Sequence, residues 1–348
     1  SPKQRKFLWT LNPQVLGCSL GSVSTAFYKK KDLSKSLSEI NKTLKNILSK
    51  LSDKNERYSL LFDELDLGYN PEDENYKTRI TGLLMAVYSL FNQFEDKFKI
   101  YVFLRSDIFE ELSFQDKNKI GDNIIEELNW EPNSETSNLS LKKLVANRIK
   151  ENINSDTLDF NKNWNEIIDS RNIGRNQKKW NYMIERTFLR PRDIIKFLNL
   201  TLEEAKKRIN ASKNPSTRIL NKDIQSCKKE YSDYLYKELS DEVSVKFPNF
   251  DNYLEILREI HSTSFSIEVY KNSYEKISSR LHIDKKDSEI LEILYDFSVI
   301  GFYKAGGGGY GGSTYCFNYV DSNIKFNPKA TKFKIHSGFK EYLELIER

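Results

Sequence analysis

"RYSLLFDELDLGY", residues 57–69, decides how the chain is read. An apolar run from Tyr58 to Phe62 ends in three carboxylates, Asp63, Glu64 and Asp66. The run is short and continuous rather than alternating, which predicts a strand buried on both faces, as in a parallel sheet. Carboxylates fixed at the end of such a strand are hard oxygen ligands. They suit Mg²⁺ and the water that attacks a phosphate. The same pattern also describes a polar strand end facing solvent.

The flanking segments extend the pattern. Residues 31–53 space Leu33, Leu37, Ile40, Leu44, Ile47, Leu48 and Leu51 as one helical face, with lysines on the other. Residues 76–95 do the same with Ile80, Leu83, Leu84, Val87, Tyr88, Phe91 and Phe94. "FKIYVFL" (98–104) supplies a second buried strand, ending in Arg105, Ser106 and Asp107. Strand, helix, strand at this length is a crossover unit, so the two strands are expected to run parallel. Ligands on such sheets sit at the carboxyl ends of the strands. Asp63, Glu64, Arg105, Ser106 and Asp107 are therefore expected on one edge.

Beyond about residue 115 the strands give way to helices. Residues 138–153 carry Leu141, Leu144, Val145, Ile149 and Ile153 in helical register. "ERTFLRPRDIIKFLNLTLEEAKKRI" (185–209) contains a helix start at Pro191, whose missing N–H has no partner at a first helical position. Asp193 just inside complements the positive helix end. Helical periodicity persists from 222 to about 297. A strand, a glycine-rich loop (305–312), the strand "STYCFNYV", the short strand "KFKIH" and a closing helix "SGFKEYLELIE" follow. Helices leading into a β-hairpin with a glycine tip resemble a winged helix. Lys276, Arg280, Lys285, Lys286 and Lys304 are the cations that DNA would meet there. Asp284, Asp287, Glu289 and Glu292 are interspersed, so a protein partner fits equally. The expected organisation is an α/β portion over 1–137, a helical domain over 138–221, and a helical connector with a winged helix over 222–348.

Composition narrows the classes. At 348 residues the chain has room for two or three domains, and 38% hydrophobic residues are enough to build their cores. The 55 Lys and Arg against 50 acidic residues leave only +5, a weak pointer to nucleic acid. Cys18, Cys227 and Cys316 are far apart, as are His261, His282 and His336. No zinc spacing or disulfide framework results, and a reducing cytoplasm is expected. The histidines and the four tryptophans, Trp9, Trp130, Trp164 and Trp180, are assigned to packing or surface roles. No run approaches the ~18 apolar residues of a membrane span, and the first residues do not form a signal-peptide pattern.

Taken together, "LLFDELD", "VFLRSDIFEEL", "DKNKIGDNIIEELNW", "LVANRI", "RTFLRPRDIIKFL", "LYDFSVIGFY" and "IHSGFKEYL" resemble prokaryotic P-loop ATPases related to AAA+ and STAND proteins. The resemblance spans residues 57 to 348 and implies a nucleotide core, a helical lid and a winged helix. It implies ATP and Mg²⁺ as ligands. Asp63 would hold the metal through water, with Asp66 beside it, and Glu64 would polarise the attacking water. Ser106 or Asp107 would sense the γ-phosphate, and Arg105 would pair with phosphate or with an acid of the site. Arg190 or Arg192 would reach the nucleotide from the lid. Hydrolysis would drive a conformational switch, on DNA or on a protein client, with homo-oligomer formation left open.

One part of that machinery is missing. A phosphate loop needs Gly-Lys followed by Ser or Thr, and no glycine in the chain precedes a lysine. "GCSLGSVS" (17–24) lacks the lysine, and so does the tract at 305–312. The expectation is a C-terminal portion of a longer ATPase, with weak ATP binding of its own. The alternative is a degenerate, non-catalytic scaffold binding DNA or protein. A metal-dependent nuclease at Asp63, Glu64 and Asp66 is more remote, because no Glu-x-Lys accompanies them.

Overall fold

The chain folds as a mostly helical α/β protein with one small parallel sheet and one antiparallel sheet. The computed structural model describes residues 30–52, 57–67, 69, 73–94, 98–115, 117–134, 137–154, 156–174, 176–244, 246–283, 285–306 and 313–346. The segment 17–24 and the glycine tip at 307–312 lie outside the described residues. The chain divides after Ile125 into two compact units.

The first unit contains α1 (Lys30–Ser52), β1 (Tyr58–Phe62), α2 (Glu74–Phe94), β2 (Phe98–Val102), α3 (Ser106–Glu111) and α4 (Lys117–Ile124). As the crossover spacing predicts, β1 and β2 pair in parallel, from Tyr58↔Phe98 through Phe62↔Val102. One further bond, Phe103 N–H to the Phe62 carbonyl at 2.8 Å, extends the ladder. The expected two-sided burial is not found. Leu60 and Leu61 are 52% and 61% exposed, and Tyr101 is 47% exposed. The reason is architectural: among the described residues this sheet has two strands only, so β1 lacks the flanking layers that bury a central parallel strand. The buried core is instead small. Tyr76 and Ile80 of α2 meet Ile108 and Leu112, with Leu65, Tyr69 and Leu104 half-buried around them.

The second unit begins with α5 (Leu141–Ile153), α6 (Phe160–Ile167), α7 (Lys179–Ile184), α8 (Pro191–Asn210), α9 (Asn221–Ser226) and α10 (Lys228–Val243). The Ser140 side chain accepts from Lys143 N–H and the Asp159 side chain from Lys162 N–H, so each satisfies an orphan donor at a helix start. Pro191 opens α8 as predicted. Phe160, Trp164 and Trp180 pack at centroid distances of 5.1, 5.0 and 5.6 Å, and Phe197 stacks on Tyr231 at 4.3 Å. One contiguous core runs from Leu141 to Tyr231.

Helix α10 then crosses into a second core, which takes up Leu235, Leu239 and Val243. That core is built by α11 (Phe250–Ile260), β3 (Ser264–Ser266), α12 (Ile267–Leu281), α13 (Asp287–Asp296), β4 (Ile300–Lys304), β5 (Thr314–Cys316) and β6 (Lys332–Ile335). The strands form an antiparallel sheet in the order β3-β6-β4-β5, so the last strand lies between two earlier ones.

The closing helix expected over 337–347 does not form. A short 3₁₀ turn, Ser337–Phe339, and further turns stand in its place. Two main-chain groups that would bond each other in a helix are committed to Ser232 instead. Its Oγ donates to the Gly338 carbonyl at 2.6 Å and accepts from Tyr342 N–H at 2.9 Å. Gly338 is also pressed so close to α10 that an added Cβ would lie 2.5 Å from the Arg186 carbonyl and 2.4 Å from Leu235.

Candidate functional site

The parallel register carries the ends of β1 and β2 to the same edge. Asp63 follows Phe62, which pairs with Val102, and Arg105 lies three residues further on. Glu64 takes a left-handed backbone, φ 56°, which a non-glycine residue adopts at a cost. It begins a tight turn, closed by Leu67 N–H to the Glu64 carbonyl at 3.2 Å and Tyr69 N–H to the Asp66 carbonyl at 3.0 Å. The Asp63 carboxylate accepts from Glu64 N–H at 2.8 Å. Asp63, Glu64 and Asp66 all face solvent.

Two tyrosines hold this turn. The Tyr76 hydroxyl, from α2, donates to the Leu65 carbonyl. The Tyr69 hydroxyl donates to the Glu111 carboxylate at the end of α3. Burial, and then the neighbouring negative charge of Glu111 or Asp66, pushes both phenols above their ordinary range, so they remain donors at neutral pH.

Arg105 joins the two strand ends. Its Nε and Nη2 donate to both carboxylate oxygens of Asp107, at 3.1 and 2.8 Å. Its Nη1 lies 3.8 Å from the Asp66 carboxylate. A planar guanidinium suits this bridging of two acids. Ser106 is exposed as the first residue of α3. Among the described residues no three His, Cys, Asp or Glu side chains converge closely enough to cage a metal. Asp63 and Asp66 remain exposed oxygen donors, the first engaged by the Glu64 N–H and the second near Arg105.

The arginines of the second unit are engaged within it. Leu189, just before them, is left-handed with φ 56°. Arg190 binds both oxygens of Glu242 on α10, at 2.6 and 3.3 Å. Arg192 reaches Glu238 at 2.9 Å and Glu242 at 3.2 Å. Asp193 faces inward, nearly fully buried, and accepts the Phe188 N–H at 3.0 Å. Burial pushes its carboxyl above the usual range, against the pull of Arg190.

Of the cations expected to meet DNA, two lie against acids. Lys276 pairs with Glu259 at 3.2 Å and Arg280 lies 3.9 Å from Glu255. The Lys285 ammonium sits 5.8 Å over the Phe247 ring. The Lys286 main-chain N–H donates to the Glu289 carboxylate at 2.8 Å, at the start of α13, while its side chain is exposed. Lys304 is exposed at the end of β4. The solvent side of α13 displays Ser288, Glu289, Glu292 and Asp296.

One feature escaped the sequence reading: the outer face of the antiparallel sheet, for which the alternation in "IGFYK" and "KFKI" was the available signal. His336 takes the structural one of its two expected roles and is buried.

Residues 139–240 match the FunZ-associated C-terminal helical domain. That stretch is α5 to α10, nearly the segment closed by the first core of the second unit. Among curated proteins none matches the chain. None of the described helices is long and apolar enough to cross a membrane.

Proposed function

We propose that the chain is the C-terminal portion of a P-loop ATPase, in which Mg-ATP binding and hydrolysis drive a conformational switch. The observation that carries this is the shared edge: two parallel strands whose ends hold Asp63, Glu64 and Asp66 on one side and Arg105, Ser106 and Asp107 on the other, bridged by Arg105. The strained Glu64 backbone supports it, since strain of this kind concentrates at working sites.

In this reading Mg²⁺, when bound, neutralises phosphate charge. Asp63 and Asp66 orient it through their oxygens, and Glu64 accepts a proton from the attacking water. Ser106 or Asp107 reports the γ-phosphate. Arg105 exchanges its carboxylate partners for phosphate. Arg190 and Arg192, on the helical lid, would leave Glu242 to do the same, which converts nucleotide state into lid position. The helices α11 to α13 with β3, β4 and β6 read as a winged helix that meets DNA or a protein client. The matched helical domain, described as C-terminal, agrees with an appended lid.

The test uses the gene's own reading frame upstream of residue 1. The expected result is a strand and a Gly-x-x-x-x-Gly-Lys-Ser/Thr loop there, and an extended protein that hydrolyses Mg-ATP. Glu64→Gln should lower its turnover at least tenfold, as loss of a general base does. Calorimetry on the chain itself should show no micromolar ATP binding. A frame without that loop, or an extended protein indifferent to Glu64→Gln, would sink the hydrolytic form.

A non-catalytic scaffold is the second reading. It is favoured by the way Arg190 and Arg192 are both closed onto α10. ATP hydrolysis by the extended protein would exclude it.

A further inference from the structure

The antiparallel sheet has two dissimilar faces. Register places Phe265, Phe333, Phe302 and Cys316 in one row across β3, β6, β4 and β5, and all four are buried. The alternate residues necessarily point the other way. There, Lys334 is opposite Ser264, and Lys332 is opposite Ser266. Tyr303 is opposite Tyr315 on β5. Tyr303 is 37% exposed, Lys332 is exposed, and Tyr315 and Lys334 are half-buried.

The groups on this face are organised. Tyr303 and Tyr315 meet edge to face at 5.5 Å. Lys332 lies 5.8 Å over the Tyr303 ring and Lys334 lies 5.9 Å over the Tyr315 ring. Lys304, next to Tyr303 at the end of β4, is exposed but alternates to the side of Phe302. The four strands, "SFS", "IGFYK", "TYC" and "KFKI", contain three lysines and no acid. This contrasts with α13, whose solvent side carries three carboxylates, Glu289, Glu292 and Asp296.

Aromatic rings on a rigid sheet, flanked by unopposed lysines, match the chemistry of an unpaired nucleic-acid strand. Its bases stack on π faces and its phosphates meet the cations. A duplex hides its base faces, and a protein partner would bring carboxylates rather than stacking surfaces. We propose that the outer face of this sheet, with Tyr303, Tyr315, Lys332 and Lys334, binds single-stranded nucleic acid. The site does not depend on the nucleotide reading, and its test contains no ATP, so either proposal can fail alone.

The full chain is titrated against a fluorescein-labelled oligo(dT) of about twenty nucleotides and a duplex of equal length. Fluorescence anisotropy is read from about 50 to about 200 mM salt. The expected result is tighter binding to the single strand. Tyr303→Ala should weaken it on the order of tenfold, and Tyr303→Phe should keep it, because stacking needs the ring and not the hydroxyl. Lys332→Gln with Lys334→Gln should flatten the plot of log affinity against log salt by about 1.4, two single-strand phosphate contacts. Lys206→Gln with Lys213→Gln, both exposed on the helical domain, should leave binding unchanged. Circular dichroism confirms that each variant is folded. Three results would overturn the proposal: no binding at the lowest salt, duplex bound as tightly as single strand, or folded sheet variants that bind like the parent.

Discussion

His336 shows how much a single side chain can decide. Its Nδ1 accepts the Gly338 N–H at 3.1 Å, so Nε2 carries the proton and donates to the Thr187 carbonyl, also at 3.1 Å. Phe188, Phe317, Tyr319 and Phe339 surround the ring. Burial, with Arg186 and Lys334 opposing a further positive charge, pushes its pKa down to about 3. Unfolded, the same imidazole titrates near ~6.5. The group therefore contributes its full stability above that value, and the contribution is lost as pH falls toward its folded pKa. Between pH 7 and pH 5 the loss is about 2 kcal/mol. Urea midpoints at the two values should show it, and His336→Phe, although less stable at pH 7, should show a smaller drop. Residue-scale reading from sequence succeeded where local chemistry is sufficient, as with Pro191 at the head of α8. It did not reach the depth of burial of His336 and Asp193, because burial by distant segments has no local signature. Asp193 was placed correctly at a helix start, yet its carboxylate serves the Phe188 N–H inside the protein.

At the scale of elements, period and crossover length carried most of the result. The parallel pairing of β1 with β2, the helices α2, α5 and α8, and the shared edge of acids and polar residues were all legible. The exposure of β1 was not, since a continuous apolar run signals burial only when other layers supply it. The closing helix was also misread, because Ser232, from outside the segment, holds its Gly338 carbonyl and Tyr342 N–H. The difference between exposed strand and buried helix has a measurable consequence. Leu61→Ser, at a position 61% exposed, should change stability by less than about 0.5 kcal/mol. Ile108→Ala, at a position fully buried against α2, should cost about 2–5 kcal/mol. Equilibrium unfolding of the two variants, followed by circular dichroism, separates these outcomes. If Leu61→Ser is as costly as Ile108→Ala, then β1 is covered in solution.

At the scale of the molecule, the two units differ in how much holds them together. Among the described residues four buried side chains form the small core of the first, whereas two extended aromatic-rich cores share α10 in the second. A chain of residues 126–348 should therefore fold alone, with a cooperative thermal transition and dispersed amide resonances. A non-cooperative melt of the larger piece would contradict this. The order β3-β6-β4-β5 adds a constraint of timing. During synthesis β3 and β4 leave the ribosome well before the strand that separates them. Until residue 335 has emerged, their facing edges stay open and could pair with a neighbouring nascent chain, so this half of the protein benefits from being shielded until translation is nearly finished.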